Sequence, residues 1–373
     1  MAPIANPGVA ASGSNAAGAG LVAGPPVASL PIDPTRANQA LAAFRLSCRE
    51  LIRRTDLSGL TRGTDWQPAC DAAQAASDGR TFFAQYLEAV QVGDGKAFAT
   101  GYYIPEILGS RDRRPGYDTP IYGRPSDLID VDLGKFSDTL KGKTIRGRVD
   151  GRSFVPYYDR TQIEQGAMTT APVLAWAADP VALFFLQVQG SGNLRQPDGS
   201  ILRIGYATQN GRDYTGIGAW MRDRGLLQKG HASMQDIVAY LHANPAQAVD
   251  IMRANRSYVF FRVLDGPPLG AMGLPVTGGV SAATDPRFIP LGAPVFLSMD
   301  RVDANGLWVA QDTGGAIKGA NRIDTFWGAG REAEAIAGGM SARGTAFVLL
   351  PIGTLARLQG LQGAPGGGTT PQP

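Results

Sequence analysis

The chain has 373 residues and a net charge of +3, enough length for about two domains and too little charge, with no Lys/Arg stripe, to follow a nucleic-acid backbone. At 44% hydrophobic and 18% charged residues it is globular rather than disordered. No uncharged apolar run reaches about 18 residues, so no transmembrane helix is expected.

Residues 1–33 are rich in Ala, Gly, Pro and Ser and read as a disordered leader or linker. They lack the basic start and long apolar block of a signal peptide, and they carry no cysteine for lipid attachment, so a soluble protein is expected. Apolar residues at helical spacing follow in "PTRANQALAAFRLSCRELIRR", and "WQPACDAAQAA" and "GRTFFAQYLEAV" read as two further helices. Cys48 and Cys70 lie in this helical region and are the only cysteines. Their proximity suggests one disulfide in an oxidising compartment; two buried free thiols are the alternative.

The pattern changes at "AFATGYYIPEILGS" to β-branched and aromatic residues punctuated by Pro and Gly. From about Tyr117 to Tyr214 short strands are expected, among them "TIRGRV", "LFFLQVQGSG" and "ILRIGYA", the last after the turn "PDGS". A helical patch comes next, "GIGAWMRDRGLL" and "SMQDIVAYLHANPAQAVDIMRAN", and strands return in "SYVFFRVL", "APVFLSM", "GLWVAQD" and "GTAFVLLP". Residues 361–373 read as a disordered tail. The fold class is mainly β with accessory helices; the strand–helix alternation of a doubly wound sheet is missing.

Most catalytic chemistries have no support. His231 and His242 are the only histidines and have no Cys-rich or acid-rich surroundings, so no zinc ligand set can be assembled. A G-x-S-x-G elbow is absent. "VQGSGNLRQ" departs from the dinucleotide fingerprint, and no Ser or Thr follows the Lys of "GGAIKG". No metal and no cofactor are therefore expected. Carboxylates remain: Asp285 in "SAATDPRF", and Asp312 and Asp324 at the two ends of "DTGGAIKGANRID". Loop carboxylates on a rigid scaffold suit acid–base work on a polysaccharide. They suit plain turn formation too, and Asp285 before Pro286 is a turn-former by type.

Several ordered blocks together resemble one family. "TGYYIPEILGS", "YGRPSDLIDVDL", "VPYYDRTQIEQG", "LFFLQVQGSGNLRQPDG", "RIGYATQNGRDYTGIG" and "NRSYVFFR" are similar to the membrane-bound lytic transglycosylase A family, as is the terminal segment to its three-aspartate (3D) domain. The resemblance implies a double-psi β-barrel domain with an inserted second β-rich domain. Residues 34–105 plus 255–360 would form the barrel with its N-terminal helices, and 106–254 the insert, with glycan lying in the groove between them. It implies a monomeric enzyme of the Gram-negative periplasm or cell envelope, outer-membrane associated in its native form, acting on peptidoglycan strands. It also implies non-hydrolytic cleavage between N-acetylmuramic acid and N-acetylglucosamine to 1,6-anhydro ends.

The three aspartates of the resemblance match Asp285, Asp312 and Asp324, with Asp324 as the acid that then becomes the base. Sugar binding needs aromatic faces and amide hydrogen bonds. Tyr102, Tyr103, Gln187, Gln189, Gly190, Ser191, Gly192 and Tyr206 are the candidates, with simple core packing as the plain alternative for the tyrosines. Glu106 is the reserve acid, and Lys318 is either a contact for a substrate carboxylate or a solvated lysine. Two other functions stay open: a non-catalytic peptidoglycan-binding double-psi barrel, and a water-using glycoside hydrolase, which needs a second positioned carboxylate.

Overall fold

A computed structural model describes residues 13–227 and 233–362. The chain divides into two compact units, Met1–Tyr103 with Pro267–Pro373, and Ile104–Gly266.

The first unit begins with a helix, Pro34–Arg53, whose start is written in its sequence. Asp33 accepts from the Arg36 N–H at 2.9 Å, and Pro34 opens the first turn. Its buried face runs through Ala37, Ala40, Leu41, Phe44, Cys48 and Leu51, the spacing of an amphipathic helix. Phe44 meets Trp66 of the helix Gly63–Ala75 and Phe82 and Phe83 of the helix Gly79–Tyr86. Cys48 and Cys70 are disulfide-bonded, with Cα atoms 5.6 Å apart. The third helix ends earlier than its apolar spacing suggests, because Leu87–Val92 leaves it as a strand and pairs with Ser341–Pro351.

Eight strands make one sheet, in the order Leu21–Ala23, Leu87–Val92, Ser341–Pro351, Pro294–Met299, Gly306–Asp312, Ser281–Thr284, Arg322–Ala329 and Lys96–Ile104. Lys96–Ile104 also pairs with Ser341–Pro351, so the pairings of six strands return on themselves. Ser281–Thr284 lies parallel to Gly306–Asp312 and antiparallel to Arg322–Ala329. The central strands are buried almost end to end, and Trp308, Phe296 and Phe347 fill the core.

Residues 13–33 correct the disordered leader expected there. Ala16–Ala19 forms a helical turn capped by Asn15, Leu21–Ala23 joins the sheet, and Val27, Leu30 and Ile32 are buried. The surrounding Ala, Gly and Pro dilute the apolar pattern and hide these contacts from composition.

The second unit holds a six-stranded sheet ordered Val259–Val263, Ile201–Gln209, Ser191–Arg195, Glu106–Ser110, Val173–Ala177 and Thr119–Tyr122. A separate three-stranded sheet is formed by Ile129–Asp132, Thr144–Asp150 and Ser153–Pro156. Helices Ile217–Asp223, Met234–Ala243 and Pro245–Arg253 share one apolar cluster with Val181 and Phe184. Two expectations are corrected here. "LFFLQVQ" is helical, Pro180–Gln189, capped by Asp179 and closed by left-handed Gly190. Its apolar residues face two clusters, Leu183 and Leu186 one, Val181 and Phe184 the other, so the run lacks the one-sided period that marks a helix. Val259–Val263, expected in the first domain, pairs with Ile201–Gln209 in the second. A strand's pattern says that it pairs, not with what.

Candidate active site

Strand register brings two of the three aspartates together. Ala283 is the register partner of Asp312 on one side and of Asp324 on the other, and side chains level with one another across a sheet share a face. Lys96–Ile104 lies beside Arg322–Ala329 and contributes Thr100 and Tyr102, two residues apart and so on one face. The Thr100 hydroxyl donates to Asp324 Oδ1 at 2.6 Å, and the Tyr102 hydroxyl donates to Asp312 Oδ2 at 3.0 Å. Tyr102 stacks on buried Phe326, ring centroids 4.9 Å apart. Arg322 donates to Thr100 Oγ1 at 2.9 Å, so the threonine's one proton is left for the carboxylate. Thr325 and Trp327 brace the strand: Thr325 donates to the Thr100 carbonyl at 2.8 Å, and Trp327 Nε1 donates to Thr325 at 2.9 Å.

The two carboxyls are not equivalent. Asp312 accepts the Ala271 N–H at 2.9 Å and its neighbour Thr313's at 2.8 Å, besides Tyr102. Asp324 is half-buried, and burial is the main force raising its pKa above the usual carboxylate value. The Asp312 charge pushes the same way, while the Thr100 hydrogen bond and the Arg322 charge oppose it. Burial, together with Asp312, also pushes the Tyr102 phenol far up, so it remains a proton donor to Asp312 at all ordinary pH.

Asp285 has partners of its own. It is 1% exposed and accepts from Arg287 Nη2 at 2.7 Å and from the Gly319 N–H at 2.9 Å. Desolvation pushes its carboxyl up, but the Arg287 side chain and the Gly319 and Arg287 amides outweigh that and hold it at about 2. The Gly319 contact ties Asp285 to the loop between Asp312 and Asp324 as an anchor. Its stabilisation is present above the ordinary carboxylate value and is lost as pH falls through about 2. Thermal melts of Asp285→Asn are expected to lie below those of the parent at neutral pH and to converge with them in that acid window; parallel curves would contradict the anchor.

The same loop ends at Asn321, the one non-glycine residue with positive φ (56°) among the described residues. Asn tolerates this conformation, and its Nδ2 donates to the Val92 carbonyl at 2.9 Å, fixing the chain just ahead of Asp324.

The sugar-binding candidates divide. Gln187, Gln189, Gly190, Ser191 and Tyr206 line one open depression of about 540 Å³ in the second unit, with Arg262 beside them. Gly192 does not join them: it is buried, and a Cβ there would collide with Leu186 and the Pro105 carbonyl. Tyr103 follows Tyr102 on a strand and so points to the other face, where burial and Glu334 push its phenol up to about 12. Glu106 is bound by Arg195 at 2.7 Å, and Lys318 is exposed. His242 meets Asp179 at 2.8 Å on the surface, and His231 lies outside the described residues. Among the described residues no group of three His, Cys, Asp or Glu could hold a metal ion, and no helix is long and apolar enough to cross a membrane.

Thr100 and Arg322 are the site residues that sequence reading passed over. The signal for Thr100 is its two-residue spacing from Tyr102; for Arg322 nothing local sets it apart.

Residues 98–262 match the MltA specific insert domain and residues 280–350 the 3D domain. The membrane-bound lytic murein transglycosylase A of Escherichia coli (strain K12) is 32% identical over 267 residues, 68% of this chain and 66% of that protein, just short of two thirds of its length. The crystal structure of MltA from Neisseria gonorrhoeae superposes with a TM-score of 0.73 at 35% identity, covering 94% of this chain and 98% of that one. A structure of E. coli MltA with bound chitohexaose gives a TM-score of 0.61 at 26% identity, covering 89% and 94%.

Proposed function

Because the chain belongs to the membrane-bound lytic murein transglycosylase A family, we propose that it cleaves the β-1,4 bond between N-acetylmuramic acid and N-acetylglucosamine without water, leaving 1,6-anhydro ends. One observation carries the reading. Asp324 is half-buried with a raised pKa, and the other carboxylate of its face, Asp312, is already engaged by Tyr102 and two backbone amides. One carboxyl is thus left to move a proton.

Protonated Asp324 would donate to the leaving glycosidic oxygen, and as a carboxylate it would then take the proton of the muramic acid C6 hydroxyl. That oxygen closes on C1, so the nucleophile belongs to the substrate. A water-using glycosidase would need a second free carboxylate at a set distance. Arg322 fixes the Thr100 proton toward Oδ1 of Asp324, which leaves Oδ2 as the oxygen that carries the catalytic proton.

The six strands whose pairings close on themselves support the double-psi β-barrel as the frame of this site. The E. coli relative with chitohexaose supports glycan as the ligand. Tyr206, 45% exposed, offers a ring face to a sugar, with Gln189 and Ser191 beside it as hydrogen-bonding groups. The relatives' naming as membrane-bound supports a place in the cell envelope.

The test is the pH dependence of kcat/KM on purified sacculi. Activity requires protonated Asp324, so it is present below that group's pKa and lost as pH rises through it. Asp312→Asn removes a charge that raises this pKa and is expected to move the alkaline limb to lower pH. Arg322→Gln removes one that lowers it and is expected to move the limb up. Limbs that stay in place in both variants would overturn the assignment of Asp324.

A further inference from the structure

The placement of Asp312 depends on one extra residue. Ser281–Thr284 and Gly306–Asp312 run parallel, so no hairpin turn sets their register. Ser281 is level with Val309 and Ala282 with Ala310, but Ala283 is level with Asp312 and not with Gln311. Without this bulge Gln311 would stand level with Ala283, and Asp312 would turn to the opposite face, away from Asp324. A group outside the pair has to hold a register that the two strands do not fix themselves.

The helix Pro34–Arg53 grips the pair at two points. At the bulge, the fully buried Gln311 amide uses both of its protons: Nε2 donates to the Ala43 carbonyl at 3.2 Å and to Ser47 Oγ at 3.1 Å. Its Oε1 accepts from Ser281 Oγ at 2.6 Å, and Ser281 Oγ accepts the Thr277 N–H at 2.8 Å. At the entries of the strands, half-buried Arg36 donates through Nη2 to the Gly279 carbonyl at 2.9 Å and through Nη1 to the Asn305 carbonyl at 2.6 Å. Its guanidinium lies over the Trp308 ring at 4.9 Å. The planar fork thus bridges the chain just ahead of both parallel strands. The Gly279 N–H donates to the Phe326 carbonyl at 2.7 Å, which carries the grip to the strand of Asp324. We propose that Gln311 and Arg36 are positioning residues for the reaction: they lock the bulge and the parallel register that set Asp312 on the face of Asp324.

The catalytic side of this role rests on Asp324 as the proton carrier, and the experiment separates the two claims. Amide hydrogen exchange in Ser281–Thr284 and Gly306–Asp312 reads the register whatever the activity, and the alkaline limb of kcat/KM on sacculi reads its effect on Asp324. The Asp312 charge raises the pKa of Asp324 while Arg322 lowers it, so a displaced Asp312 moves the limb to lower pH. Gln311→Leu and Arg36→Gln are each expected to speed exchange in both strands, to lower kcat by about 10–10²-fold with KM kept, and to shift the limb as Asp312→Asn does. Neither should shift it further in an Asp312→Asn background, where the charge is already gone. Arg36→Lys keeps the charge but lacks the fork, and is expected to behave as Arg36→Gln. Cys48→Ser with Cys70→Ser, a destabilised control on the same helix, should leave the limb in place. Arg36→Gln and Arg36→Lys carry the test if Gln311→Leu does not fold. Exchange and limb at the parent's values would overturn the proposal. So would faster exchange with an unmoved limb, which would make these contacts structural only, or full activity in Arg36→Lys, which would make charge the requirement. A parent that releases no anhydro ends would overturn the transglycosylase reading instead, with exchange still testing the grip on the register.

Discussion

Replacing Asp324 by Asn is expected to leave the fold intact and to abolish the release of anhydro ends from sacculi, a loss of at least about 10²–10⁴-fold in turnover. The carboxamide has nearly the same shape and can still accept from Thr100, so the strand and its pairing with Ala283 should persist. What it lacks is an exchangeable proton of suitable acidity. Since a single group is proposed for both proton transfers, no second residue can take over half of the work. The expected signature is a fall in kcat with little change in KM, because substrate contacts are made elsewhere. Equal falls in thermal stability and activity would point instead to a structural role.

Removing the disulfide is expected to have the largest effect on stability. Cys48 and Cys70 close a loop with a sequence separation of 22 and join two helices that meet around Phe44 and Trp66. Chain-entropy arguments put such a cross-link at about 3 kcal/mol. Cys48→Ser with Cys70→Ser should lower the melting temperature of the unit carrying them by roughly 6–12 °C. Both side chains are buried, so the hydroxyls add to the cost. A change under about 2 °C would show that helix packing alone holds this region.

Local chemistry was legible wherever a residue's neighbours in sequence decide its state. The helix Pro34–Arg53 could be read from the apolar spacing of Ala37, Leu41, Phe44 and Cys48, and Thr144–Asp150 from its alternation. Asp179, Pro180 and Gly190 are helix start and stop signals, yet the apolar run between them has β-forming residues and no polar face, which is the pattern of a strand. The partners of Val259–Val263 and the burial of Val27 are set by tertiary packing, which no window of sequence contains.

The site shows the same division. Three aspartates stood out by family resemblance, but what separates their roles is long-range. Thr100 reaches Asp324 across 224 residues, Tyr102 reaches Asp312 across 210, and Gly319 reaches Asp285 across 34. Gly319 helps to hold the Asp285 carboxyl low and Tyr102 engages Asp312, while burial, against the Thr100 contact, raises that of Asp324. The glycine run "QGSG" looked like one ligand-facing element; backbone packing splits it, with Gly190 and Ser191 at the depression and Gly192 pressed beneath Leu186.

The central claim is that the attacking oxygen comes from the sugar and not from solvent. Digestion of purified sacculi in heavy-oxygen water, with mass spectrometry of the released glycan ends, tests it directly. Anhydromuramic ends free of the heavy label are the predicted result; reducing ends carrying the label would show hydrolysis and contradict it.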